Sequence, residues 1–474
     1  MKSNKSKIYR KLDTSKKSQT EILLVHLPFC TPASPSYSVT CLYSMLKDKC
    51  SVSVLDLNLE FHKKKFPKFG EFISGFGVGK LNEYSKVAGE YSKISSKVYA
   101  ENNKKVVNGL DPEFFDEFVK MIRDSKAEIV VFSIVYSSQA FYAYSIMKEL
   151  KDVVTVIGGP GVNSKLVSVA DECFGSYNEF VDYLGVGPSR DSVNVGNGIV
   201  FDYSIWDLDS YFVPQFVMPV KTSNTCCYKQ CVFCSHFSNA KYCEFSLESV
   251  RQSIVDLRAK NGNSAGKYVF LIDDTIPVSR LLKIGEMFGK LGVKWCCQLR
   301  PTADFSSSVL TQLKKNGLVM VIWGVESGNN RVLKLMKKGT NVNDISIILK
   351  NSHDASIKNV VYIMFGFPGE TESEFMETIS FLENNSININ LVSTSVFGLQ
   401  KGTYIYDNNK EFGISKVVEK KRTILEPKIS YEISNGLSHS EVLELRKKYK
   451  KTIEKINKYP KEMNFFRESM LCFS

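Results

Sequence analysis

Short runs of aliphatic and β-branched residues alternate with segments of helical apolar spacing along most of the chain, and the alternation restarts once. In the first series the strand-like runs lie at 21–28, 51–57, 128–135 and 153–157, with helical spacing at 37–47 and 138–150 between them. Strands alternating with helices argue for a parallel sheet covered on both faces. That combination predicts a parallel, doubly wound α/β domain of Rossmann-like type over 21–190, interrupted by a helical insertion at about 59–110. After a linker at 191–215, a second series places strands at 216–220, 267–272, 293–299, 318–324, 360–365 and 390–397. Helical segments near 247–260, 279–290, 306–315, 343–352 and 371–383 separate them. Six β-then-α steps predict a partial (β/α)6 barrel over 216–400, with its chemistry at the C-terminal ends of the strands. A length of 474 residues suits two such domains plus tails. Residues 1–20 read as a disordered basic tail. Residues 401–474 read as a helical extension, where Ser438 and Glu441 form a capping box ahead of Val442, Leu445, Tyr449 and Ile453.

The formal net charge of +12 invites a nucleic-acid or membrane reading. Its distribution argues otherwise. Residues 1–20 hold seven Lys or Arg against one Asp, and residues 408–474 hold fifteen against nine acids, which leaves 21–407 neutral. Phosphate binding needs clustered cations in the groove that holds it, so nucleic acid is not expected as a partner. No apolar run reaches the roughly 18 residues of a membrane span. The apolar stretch after the basic tail is short and opens on Glu21, which marks a first strand rather than a secretion signal. Twelve cysteines are too few for a disulfide scaffold in a chain of this length, and a reducing cytoplasm is the expected compartment.

Three of those cysteines stand together directly after the first strand of the second series, as Cys227-Tyr-Lys-Gln-Cys231-Val-Phe-Cys234. Thiolates four and three residues apart on one loop can converge on one metal centre and leave one coordination position open. Spacing leaves two metals in play. A structural zinc site closes with four Cys or His ligands, for which His236 is the available fourth, whereas an iron–sulfur cluster with three protein ligands keeps one iron free. Cys226 fits neither spacing. Cys296 and Cys297 lie in a strand, where burial explains them better than ligation.

This loop, together with the strand ends downstream of it, resembles the radical S-adenosylmethionine (SAM) enzymes, whose signature is a Cys-x3-Cys-x2-Cys loop after the first strand of a partial barrel. Phe233 before the last cysteine fits that signature. The resemblance continues through Ile272-Asp273-Asp274, Arg300, Gly324-Val325-Glu326-Ser327-Gly328, then Leu333, Met336, Lys338 and Gly339, and Met364-Phe365-Gly366-Phe367-Pro368-Gly369-Glu370-Thr371. It implies a [4Fe-4S] cluster on Cys227, Cys231 and Cys234 with SAM on the fourth iron, reductive cleavage to a 5′-deoxyadenosyl radical, and hydrogen abstraction from a substrate. An electron donor such as a flavodoxin or ferredoxin is implied as well. The SAM contacts it suggests are Phe233, Asp273, Asp274, Arg300, Glu326, Ser327, Gly366 and Phe367. Asp273 and Asp274 stand where relatives often carry Gly-Gly-Glu, which is a departure. Glu326 and Ser327 serve local capping equally well, and Gly366 to Glu370 is also the pattern of a tight strand-to-helix turn.

The first domain resembles the cobalamin-binding domain that precedes the barrel in a large subset of these enzymes. Pro28, Pro32 and Pro35 after the first strand, Ser133 and Ser137 after the third, Gly158-Gly159-Pro160 after the fourth, and the stretch from Val181 through Gly185 to Gly187 carry the likeness. Ser133, Ser137, Gly158, Gly159 and Gly185 are the residues it offers to a corrin. The Asp-x-His-x-x-Gly segment that supplies an axial histidine in many cobalamin proteins is absent, and His26 lacks those neighbours. The expected function is radical SAM chemistry with cobalamin-dependent methyl transfer to a small-molecule or peptide substrate. Cobalamin-free maturation of a ribosomally made peptide is the alternative, and a zinc-containing nucleic-acid-binding protein the second.

Overall fold

A computed structural model describes residues 20–75, 80–186, 198–235 and 241–473. Residues 1–19, Gly187 and the alternative zinc ligand His236 lie outside them. The chain divides into two compact units, one of residues 1–65, 98–205 and 423–426, the other of 66–97, 206–422 and 427–474.

The first unit is built on five strands: β1 (Glu21–His26), β2 (Ser51–Asp56), β3 (Ile129–Ser133), β4 (Val154–Gly158) and β5 (Glu172–Phe174). They run parallel in the order β2-β1-β3-β4-β5. This is the doubly wound sheet expected from the alternation. Strand order reverses between β1 and β3, so the loops leaving those two strands part and open a crevice at their C-terminal ends. Ile22 to Val25 and Ile129 to Phe132 are buried without alternation, as a two-sided sheet requires. β5 escapes the sequence pattern, because three residues including Glu172 give no hydrophobic period. The stretch expected as an insertion forms the helices Leu57–Lys65, Pro67–Ser74 and Leu81–Val107. Residues 66–97 pack within the second unit, where Tyr91 meets Phe212 and Phe466 and the Tyr84 hydroxyl lies 3.2 Å from Ser469 Oγ.

The second unit carries β6 (Val217–Val220), β7 (Tyr268–Leu271), β8 (Lys294–Leu299), β9 (Leu318–Glu326), β10 (Lys358–Phe365) and β11 (Leu391–Val396). They are parallel and neighbour one another in chain order, with a helix after each of the first five, which is a partial (β/α)6 barrel. Two tryptophans show which way each strand faces. Trp295 packs on Phe288 of helix Val278–Lys290. Trp323 Nε1 donates to Asn359 Oδ1 at 2.8 Å, and Asn359 Nδ2 donates to the carbonyls of Leu349 and Asn388 in the helical layer. The neighbours of these residues along each strand, Cys296, Gln298, Met320, Ile322, Val360 and Tyr362, therefore face inward.

A partial barrel leaves β11 as an open edge, and unpaired edge groups invite pairing with another chain. The C-terminal extension covers it. Asn457 Oδ1 accepts from the Val392 amide at 2.7 Å, the Lys458 amide donates to the Asn390 carbonyl, and Arg446 donates to Thr394. Beyond that, the short 3-10 segment Arg467–Leu471 buries Met470 and Leu471, and Lys358 Nζ donates to the Met470 carbonyl at 2.8 Å. The helical reading of 401–474 needs a correction. An antiparallel hairpin of β12 (Ile414–Lys420) and β13 (Lys428–Ile433) lies inside it. One face of the hairpin is solvated and lysine-rich, which hides its alternation.

Asn359 is fully buried and serves three partners at once. Asn359→Ala leaves the Trp323 N–H and two carbonyls unpaired, and is expected to lower stability by about 3 kcal/mol in urea melts. A loss under about 1 kcal/mol would mean those groups find other partners.

Candidate functional site

The cysteine loop leaves β6 and is clamped at both ends. At its start, the buried carboxylate of Asp273, just past β7, accepts from the Thr222 amide with both oxygens, at 3.1 and 3.0 Å, and from the Ser223 hydroxyl. Burial raises the Asp273 carboxyl to about 6, against the pull of those donors. Asp273 thus holds the loop, while Asp274 is exposed beside it. Of the two expected carboxylate contacts, only Asp274 is free of a structural duty.

Further along, the loop leans on the segment after β9. The Val232 amide donates to the Met336 carbonyl at 3.2 Å, and the Tyr228 hydroxyl donates to the Lys337 carbonyl at 2.9 Å. Arg300, at the end of β8, stacks its guanidinium 3.6 Å from the Tyr228 ring centroid and donates to the carbonyls of Lys338 and Gly339 at 3.1 and 2.8 Å. Gly339 has φ +65°, and any Cβ there would strike the Tyr228 hydroxyl. Val232 itself sits in a core cluster with Val332, Met336, Phe367, Phe397 and Ile405, against which Phe233 packs.

Lys338 brings a second positive charge to this loop. It is 7% exposed, pairs with Glu326 Oε1 at 2.9 Å, and lies 5.8 Å from the Phe233 ring centroid. Burial opposes its charge, but Glu326 and Cys231 outweigh burial and hold its pKa above the ordinary value. The pair crosses the bare face of Gly324, where a Cβ would come within 2.9 Å of Glu326 Oε1 and 3.0 Å of Lys338 Nζ. Burial pushes the Cys231 thiol up to about 11, and Lys338 pulls against it. The Cys227 thiol is raised by burial and by Cys226, and Arg300 pulls it down. Among the described residues no three His, Cys, Asp or Glu side chains converge as a metal site. The donor chemistry nevertheless suits a cluster, with three thiols on one loop and two cations that favour the thiolates a metal needs. Unsatisfied groups surround them. Thr225 Oγ1, Arg300 Nε and Thr340 Oγ1 are buried without a hydrogen-bond partner, which is unusual unless a further polar group completes them.

Other expected SAM contacts are otherwise engaged. Ser327 is fully buried; its hydroxyl lies 3.2 Å from Thr378 Oγ1 and accepts from the Asn329 amide, so it caps locally. Phe367 packs edge-to-face on Phe397 and belongs to the core. The Gly366 amide donates back to Glu370 Oε2, and a Cβ on Gly366, whose φ is +74°, would meet Val442 Cγ2 at 2.8 Å. That is the tight strand-to-helix turn. Arg331 pins the same turn through a two-pronged contact with Glu374 and a bond to the Gly369 carbonyl at 2.6 Å. Sequence reasoning places Lys338 and Tyr228 only as spacing, and misses Arg331; their partners lie 12, 109 and 43 residues away.

In the first unit, Ser133 Oγ lies 2.6 Å from Ser38 Oγ, and Ser137 is exposed at the start of a 3-10 turn. Gly159 has φ +113°, and a Cβ there would strike the Ile134 carbonyl; on Gly161 a Cβ would come within 2.8 Å of Tyr136. These glycines let the loops after β3 and β4 lie backbone to backbone, tied by the Gly161 amide to the Ile134 carbonyl at 2.9 Å. Gly158 is half-buried, and Gly159 and Pro160 are exposed on the crest. Gly185, at φ +68°, caps helix Tyr177–Leu184, which accounts for it without a ligand. Buried Gln139 holds the crest in place, accepting from the Val135 and Tyr136 amides at 2.8 and 3.0 Å and donating to the Leu27 carbonyl at 2.9 Å.

The Arg331 contact holds the Glu374 carboxyl down at about 2, below its ordinary 4.5. A depressed carboxylate stabilises the fold above its unfolded value and loses that contribution as pH falls through the folded one. Stability should therefore decline as pH drops from about 4.5 toward 2, and Glu374→Gln should flatten that part of the profile in acid unfolding. An unchanged slope would show the contact to be energetically silent.

Residues 220–382 match the radical SAM superfamily. An uncharacterised methyltransferase of Pyrococcus horikoshii is 24% identical over 361 residues, covering 67% of this chain and 78% of its own length. Among solved structures, the radical SAM methyltransferase TsrM of Kitasatospora setae, with cobalamin and a [4Fe-4S] cluster bound, superposes with a TM-score of 0.57 at 14% identity, over 86% of this chain and 82% of that one. The cobalamin-dependent SAM radical enzyme OxsB, with aqua-cobalamin bound, gives 0.58 at 13% identity, over 89% and 65%. At such identities the superpositions speak to fold. Taken with the three-cysteine loop at the mouth of a sequential parallel barrel, they give residues 220–382 as a radical SAM domain and the first unit as the fold type of the cobalamin-binding domain.

Proposed function

We propose that the chain is a cobalamin-dependent radical SAM methyltransferase, with Cys227, Cys231 and Cys234 as the ligands of a [4Fe-4S] cluster. The observation that carries the radical part is the loop itself: three thiols beside Lys338 and Arg300, ringed by buried polar atoms without partners. When bound, the cluster and SAM would supply a hydrogen-abstracting radical, and cobalamin a transferable methyl group.

The chain's own residues have definable tasks in this reading. Asp273 and the Tyr228–Arg300 stack set the loop's path, so the thiols are presented without a large ordering cost when the cluster enters. Lys338 offsets part of the negative charge that three thiolates bring into a half-buried place. Arg300 Nε and the Thr225 and Thr340 hydroxyls are candidates to meet the polar groups of SAM. Asp274 is the carboxylate left for its amino group. For cobalamin, the exposed crest of Tyr136, Ser137, Gly159 and Pro160 offers an open rim at the strand ends of the first unit. The corrin-binding set shrinks accordingly to Ser133, Ser137, Gly158 and Gly159.

Anaerobic reconstitution with iron, sulfide and hydroxocobalamin tests both parts. About four iron and four sulfide per chain are expected, lost in Cys227→Ala, Cys231→Ala and Cys234→Ala and retained in Cys226→Ala. Reduction with SAM present should yield 5′-deoxyadenosine. One zinc per chain in place of iron would overturn the radical assignment, and a cluster-loaded protein that never retains corrin would remove the methyl-transfer part.

A further inference from the structure

The barrel is packed tightly toward its helices, and toward its axis only in part. Outward-facing Val269, Trp295, Cys297, Trp323, Val361 and Ile363 are all 1% exposed or less. Inward-facing residues at the same levels, Phe270, Gln298, Tyr362, Met364 and Ser393, are only half-buried, although three of them are apolar or aromatic. Inward-facing Cys296, Met320, Ile322 and Val360 are by contrast 1% exposed or less and close the lower layers. The half-buried inner face is therefore not closed by the barrel's own side chains.

The chain's own C-terminal segment reaches this face. Arg467 lies 5.3 Å from the ring centroid of inward-facing Tyr362, and its charge is felt by inward-facing Cys296 two strands away. A group close to inner faces on both β8 and β10 stands within the barrel. Arg467 is half-buried, and among the described residues it makes no ion pair and no hydrogen bond with another side chain. Burial raises the carboxyl of its neighbour Glu468 and Arg467 pulls against that, without closing to an ion pair. A guanidinium partly removed from water normally has an anion or several acceptors. Gln298, also on the inner face, likewise has no protein partner for its amide among the described residues.

We propose that Arg467 is a specificity-determining cation of the substrate chamber, and that the substrate is a small organic acid. Its carboxylate meets the Arg467 guanidinium near Tyr362, its polar groups meet the Gln298 amide, and its apolar body lies against Phe270 and Met364, leaving the far end toward the strand C-termini. This rests on the proposed function only in assigning the barrel interior to substrate. It narrows that function from any small molecule or peptide to a compact acid that enters carboxylate first.

Equilibrium dialysis of the reconstituted enzyme against matched pairs tests it: 3-phenylpropionate with 3-phenylpropionamide, indole-3-acetate with indole-3-acetamide, and hexanoate with hexanamide. At least one acid should bind about tenfold tighter than its amide. Arg467→Met should erase that preference, and Arg467→Lys should keep part of it. No preference in the unaltered enzyme, or a preference that survives Arg467→Met, overturns the proposal. Should Arg467→Met fail to fold, phenylglyoxal labelling of the unaltered enzyme decides. Mass spectrometry should find the Arg467 peptide protected by the acid and not by the amide; equal labelling with both overturns it. The radical assignment is read separately, from 5′-deoxyadenosine in the unaltered enzyme. Its absence alongside an Arg467-dependent preference would sink that assignment and leave this one standing.

Discussion

A lysine buried to 7% exposure beside three cysteines is the constraint around which the barrel mouth is arranged. An ammonium removed from water costs several kcal/mol unless it is paired and geometrically held, on the order of what a whole domain has in reserve. Glu326 supplies the pairing at 2.9 Å. Glu326 reaches it from a left-handed backbone conformation, φ +70°, at a register shift between β9 and β10, and the pair passes over Gly324 because no side chain stands there. Removing any of these three features strands a charge next to Cys231.

The same segment, from Met336 to Gly339, then serves as a rail for the cysteine loop. Its carbonyls receive Val232, Tyr228 and Arg300 in turn. Carbonyls past a helix end lack intrahelical donors, so the short helix Asn330–Leu335 leaves acceptors that a loop can use. The loop is consequently shaped from outside as much as by its own sequence, and the thiols are held near two cations before any metal arrives. Such prior arrangement is the usual way a protein lowers the cost of assembling a site.

Much of this is legible from the chain alone. The two alternating series predict both sheets, and nearly every strand falls within a few residues of its expected place because uninterrupted apolar runs have few other uses. The failures share a cause. β5 and the β12–β13 hairpin are short or one-sided, so their hydrophobic signal is weak. Ser327, Phe367 and Gly185 match expected positions for ligand contact, yet each answers to a local demand: a cap, a core, a helix end. Motif position alone does not distinguish a residue that faces a ligand from one that shapes the turn beside it.

Local pattern was enough for the order of elements, the placement of three thiols after the first barrel strand, and the neutrality of the body between two basic ends. Periodicity, spacing and charge counts are properties of neighbouring residues, and these conclusions need nothing else. The work done by the polar residues near the loop was settled by long-range packing. Asp273 became an anchor and Lys338 a buried cation, because their partners come from distant parts of the chain, brought together by strands that lie side by side. Arg467 is the extreme case. Seven residues from the chain end, in a segment without regular period, it comes to lie within the barrel because Met470 and Leu471 bury below it and Lys358 holds the Met470 carbonyl. Such a position is set by packing, and no local pattern encodes it.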